Sequence, residues 1–161
     1  MEEKKESQNY EVVLMSITAK AITANERLIR LSGRLGRLIP KFGKVDHSVT
    51  GLLPWIMEYQ SMKDEVNVTT TDFQRIYNEI LGLANTQKIT IDASMRPAIN
   101  TLNATLSRCY SKIEVLDDIL IGLLEDIWDD VQFEATKKEE IKKAVKDTIE
   151  QTKEIPEGMY V

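Results

Sequence analysis

From Leu14 to Leu38 an apolar residue recurs at alternating steps of three and four: Leu14, Ile17, Ala21, Ala24, Leu28, Leu31, Leu35 and Leu38. An α-helix turns once in 3.6 residues, so this spacing gathers all eight on one stripe of a rod about 40 Å long. Tyr10 extends the series backwards. The same alternation returns at Ile99, Leu102, Leu106, Cys109, Ile113, Leu116, Leu120, Leu123 and Ile127. A half-buried strand would instead alternate every second residue. The chain is therefore expected to fold around two long heptad helices, and neither can bury its stripe alone.

Boundaries follow from the breakers. The first long helix is read over residues 10–39, after a frayed N-terminus at 1–9. Gly33 and Gly36 lie off its stripe and weaken it, and Pro40 must end or bend it. Residues 40–51 read as a connection. Pro54 suits the first turn of a short helix over 53–66, with Trp55, Ile56, Tyr59 and Met62 inward. Asn67–Thr71 interrupts the pattern, and Thr71-Asp-Phe-Gln74 has the form of a capping box opening another short helix over 71–88. Residues 85–96 suit a helical continuation or a loop. Pro97 starts or kinks the second long helix, read over 97–133. A second box, Thr136-Lys-Lys-Glu139, precedes a C-terminal helix over 137–153, closed by Pro156 and Gly158 in a tail at 154–161.

The fold class expected is all-α: one domain over 1–161, a bundle of two long coiled-coil-like helices with three shorter amphipathic ones. Only 7 glycines and 4 prolines punctuate 161 residues, which suits long elements. A two-in-seven stripe is narrow for a globular helix, so a second copy of the chain is expected to complete part of the seam. The seam residues that count most for assembly are Leu28, Leu31, Leu35 and Leu38 on the first helix and Ile113, Leu116, Leu120 and Leu123 on the second.

Charge is distributed unevenly. Between Glu26 and Lys44 stand Arg27, Arg30, Arg34, Arg37, Lys41 and Lys44 against Glu26 alone. Between Glu114 and Glu134 eight carboxylates run without a single Lys or Arg. The arginines are spaced three, four and three, and so form a row beside the leucine stripe. They can pair with the acidic stretch to set helix register, contact nucleic-acid phosphates, or lie on an anionic membrane surface. The overall charge of -5 opposes a long polyanion outside the basic patch.

Chemistry is thinly marked. His47 is the sole histidine, so no His-x-x-x-His pair can hold a metal, and no nucleophile and carboxylate are marked to complete a triad. The stretch His47-Ser-Val-Thr50-Gly51 matches the glycine of histidine phosphotransfer bundles but has Thr where they carry Lys. Cys109 falls on the apolar stripe and reads as a small core residue. Asp126, Asp129 and Asp130 lack the central glycine of a calcium loop.

The expectation is a non-enzymatic interaction protein acting by helix–helix association: scaffold, adaptor or regulatory subunit. Its partner would be a second copy or another helical protein, with no cofactor, metal or small-molecule substrate. The alternative is a nucleic-acid or membrane-surface binder through Arg27–Lys44, and a remote one is phosphotransfer through His47. A single cysteine, no basic-then-apolar leader and no apolar run near the ~20 residues a bilayer requires suit a soluble, cytoplasmic protein.

Overall fold

The computed structural model describes residues 2–44, 49–86, 92–130 and 133–151. Over these the chain forms four helices and no strand: α1 (Glu2–Lys44), α2 (Val49–Thr86), α3 (Asp92–Asp129) and α4 (Ala135–Glu150). The class is all-α and the architecture a helical bundle. The count differs from the two long and three short helices expected: three are long and one is short.

The missing break is at residues 67–71, inside α2. Threonines there weaken a helix because their hydroxyls compete for backbone groups. Here the competition is absorbed within the helix. Thr69 Oγ1 donates to the Glu65 carbonyl and Thr70 Oγ1 to the Val66 carbonyl, each at 2.7 Å. Thr71 is exposed in mid-helix and caps nothing, so the proposed 53–66 and 71–88 helices are one rod.

Other ends shift for tertiary reasons. The segment read as a frayed N-terminus belongs to α1 from Glu2 onward, and α1 continues past residue 39 and through Pro40 to Lys44. Its last turn is held by docking. Phe42 is buried edge-on against Tyr59, with centroids 6.5 Å apart, and Lys41 Nζ sits 4.3 Å above the Trp55 ring. α3 begins at Asp92, five residues before Pro97, and ends at Asp129 rather than 133. Of the ambiguous 85–96 stretch, both flanks are helical, while Ile89 and Ile91 lie outside the described residues. α4 starts two residues earlier than expected and ends at Glu150 rather than 153. Its N-cap is Glu134 in an extended conformation with no side-chain cap bond, so the Thr136–Glu139 box is not used. The tail at 154–161 lies outside the described residues.

Cross-helix bonds fix the directions. Asn25 meets Thr105, Ser32 meets Lys112, and Leu28 meets Cys109, at sequence separations of 80, 80 and 81. A constant separation means α1 and α3 run parallel. Tyr59 reaches the Ile113 carbonyl while Asn67 reaches Tyr110, so α2 runs antiparallel to α3. α4 runs alongside α2, through Lys63–Thr148 and Asn67–Gln151. α1 packs on α2 and α3, α4 packs on the same two helices, and α1 and α4 do not meet among the described residues.

The core lies on the two stripes. Leu28, Leu31, Leu35, Leu38, Ile113, Leu116 and Leu120 are buried, and Leu123 is half-buried. α2 contributes a third line at the same spacing: Leu52, Ile56, Tyr59, Lys63, Val66, Thr70, Phe73 and Tyr77, all buried. No helix among the described residues is long and apolar enough to cross a membrane.

Candidate interaction surface

α1 carries two stripes. Beside the buried one lies a second line on its outward side, Val12, Met15, Ile22 and Ile29, which are 66%, 71%, 54% and 50% exposed. Met15, Ile22 and Ile29 are seven residues apart, two helical turns, and therefore stand nearly above one another. Isolated surface hydrophobes are ordinary; a periodic line of large ones along one helix is not.

The basic row flanks this line. Arg27, Arg30, Arg34, Arg37 and Lys41 are all exposed. Among the described residues none of the five makes an ion pair; the bridges formed are Lys63–Asp117 and Arg75–Glu79. Among the described residues, the pairing of Arg27, Arg30, Arg34, Arg37 and Lys41 with the acidic stretch considered from the sequence is thus not made. Lys44 lies at the end of α1, and His47 lies outside the described residues. In the acidic stretch Glu114, Asp118, Glu125, Asp126, Asp129 and Glu134 are exposed, and Asp117 turns inward. No three His, Cys, Asp or Glu side chains among the described residues converge to hold a metal.

Small side chains open a groove between α1 and α2. Ala19, Thr23 and Ala24 face Thr69, Phe73 and Ile76 across a cavity of about 330 Å³, with Lys20, Arg27 and Asp72 at its rim. Phe73 and Tyr77 stack nearly parallel behind it, interplanar angle 10°. At the other end of the bundle Trp128, 44% exposed, lies beneath the Lys142 ammonium at 5.0 Å. Lys138 donates to the Trp128 carbonyl and closes the end of α3.

The sequence reading missed the most polar part of the interior. Lys63 occupies a stripe position of α2 and its side chain is fully shielded. Its ammonium donates to both Asp117 oxygens, at 3.2 and 3.1 Å, and to the Thr148 carbonyl at 2.7 Å, binding α2 to α3 and α4 at one point. The Tyr59 hydroxyl lies 2.6 Å from Asp117 Oδ1 and 3.1 Å from the Ile113 carbonyl. Burial and the adjacent carboxylate push the Tyr59 hydroxyl far above its ordinary value. Burial lowers the Lys63 ammonium, against the opposing pull of Asp117. The lysine side chain is closed to solvent, and its three acceptors lie on two other helices, so this contact ties α2, α3 and α4 together.

Cys109 is likewise interior, its thiol 3.4 Å from the Leu28 carbonyl and pushed up to about 11, chiefly by burial. A thiol so raised is a poor nucleophile near neutral pH. No known protein-family model matches this chain, and no curated protein or solved structure matches it.

Proposed function

We propose that this protein is a non-enzymatic interaction module, a scaffold, adaptor or regulatory subunit, that works by docking a helical partner on the outward face of α1. The observation that carries the reading is the line Val12, Met15, Ile22 and Ile29, four large apolar side chains each at least half in water. Leaving them there is unfavourable by roughly 1 kcal/mol or more apiece relative to burial. The arginine row beside them would select an acidic rim on the partner. A cytoplasmic setting suits a chain whose one thiol is buried and inert.

A second reading rests on the five exposed cations without carboxylate partners: attachment to nucleic acid or an anionic membrane surface through Arg27–Lys44. Three probes separate the two: an acidic amphipathic helical peptide, duplex DNA, and phosphatidylserine vesicles. Docking predicts that the peptide binds and that Ile22→Glu abolishes binding. The rival predicts binding to DNA or vesicles that Arg30→Glu with Arg37→Glu abolishes and Ile22→Glu leaves unchanged.

A further inference from the structure

We propose that the occupant of the α1 outer face is a second copy of this chain, related by a two-fold axis running along the bundle. The inference rests on the reading of that face as a docking surface and names its partner.

Height comes first. Within one chain, a residue of α1 lies level with the residue of α3 about 80 positions later, as Asn25–Thr105 and Ser32–Lys112 show. A two-fold parallel to the helices lays α1 of one copy over α3 of the other without changing any height. Arg34 then stands level with the other copy's Glu114, and Arg37 within one residue of its Asp118.

Direction around each helix agrees. At 100° per residue, Arg27, Arg30, Arg34, Arg37 and Lys41 lie roughly 120° to 180° round α1 from Asn25, which faces α3. Glu114, Asp118, Glu125 and Asp129 lie roughly 120° to 180° round α3 from Thr105, which faces α1. Each row is on the flank away from the other helix. Half a turn about the bundle direction carries the far flank of α1 over the far flank of the other α3. Basic row meets acidic row at both edges, and the apolar line falls between them.

The surface that would receive that line is shaped for it. On the same side of the α1–α3 pair, two residues further along than the levels of Met15, Ile22 and Ile29, stand Pro97, Ala104 and Ser111, all exposed and small, with Val115 beyond. Large side chains at seven-residue spacing face short ones at seven-residue spacing. A two-fold makes the contact twice, so the interface closes on itself and does not propagate.

Sedimentation of the full chain across micromolar to submillimolar concentrations tests this. The expected result is a dimer. Arg34→Glu with Arg37→Glu should weaken it about tenfold or more, as should Glu114→Arg with Asp118→Arg, and all four together should restore it. Unchanged helical circular dichroism establishes that each variant is folded. In mixtures of Ile22→Cys and Ala104→Cys chains a disulfide between copies should form that neither variant forms alone. A wild-type monomer at every concentration overturns the proposal, as does a dimer that the charge reversals weaken but their combination does not rescue. If the monomer still binds the acidic helical peptide, only the identity of the partner is rejected; if it binds no peptide, the docking reading falls as well.

Discussion

Lys63 of α2 and Asp117 of α3 meet at 3.1 Å, with the lysine side chain wholly out of water and the aspartate 14% exposed. Such a pair is poor evidence of net stability, because both ions lost their hydration to form it, yet breaking it on one side is severe. Asp117→Ala leaves an ammonium stranded in the core and should cost about 3–5 kcal/mol in urea unfolding. Replacing both, Lys63→Met with Asp117→Leu, should return the protein close to wild-type stability. The Tyr59 hydroxyl would keep the Ile113 carbonyl as acceptor. A double variant as unstable as the single one would show that the ions themselves are required.

Alkaline pH should act through Cys109. Its folded thiol is held at about 11 against an ordinary 9, so above pH 9 the unfolded chain releases the proton first. Stability is therefore fully present below pH 9 and falls as pH rises toward 11, by about 2–3 kcal/mol from this group. Tyr59, also raised, works in the same direction at higher pH, and Lys63, lowered, works against both. Cys109→Ala retains those two effects and loses the first. Its unfolding free energy should decline less steeply between pH 9 and 11 than that of the wild type, and parallel curves would refute the assignment.

Thr71→Ala distinguishes one long α2 from two short helices. A helix N-cap is worth about 1 kcal/mol, so the capping-box reading predicts a loss of that size. In the continuous helix Thr71 is exposed and interior, and alanine is the better helix former. The melting temperature should stay level or rise slightly.

Gly33 and Gly36 of α1 should respond differently to alanine. A methyl at Gly33 would find only the Arg37 guanidinium, 3.8 Å away, so Gly33→Ala should stabilise by about 1 kcal/mol in thermal unfolding. At Gly36 the methyl would lie 3.4 Å from Lys112 Nζ, which donates to both the Ser32 carbonyl and hydroxyl. Gly36→Ala should gain less, because it presses on that bond.

The all-helical class and the two leucine-rich stripes were legible because a three-four spacing is a direct imprint of helical pitch on sequence. α2 bears the same imprint from Leu52 to Tyr77, but Lys63 and Thr70 stand in it, and a polar residue at a stripe position reads as an interruption. Whether Lys63 faces water or a carboxylate is decided by Asp117, 54 residues away, and no local pattern carries that information. The helix ends failed for a related reason. Pro40 and the 136–139 box are local signals, while Phe42 against Tyr59 and Lys138 on the Trp128 carbonyl are decided by neighbouring helices. The outward line on α1 was present in the sequence too, hidden beneath the stronger stripe on the same helix.

The parallel course of α1 and α3 has a cost during synthesis. The groups that seal α1 arrive about 80 residues after it, as Ser32 must wait for Lys112. At ribosomal speeds of 5–20 residues per second, that is a delay of roughly 4–16 s. For that interval the nascent chain holds a greasy rod with only α2 to shelter it, and this is the window in which premature clumping would compete with correct folding.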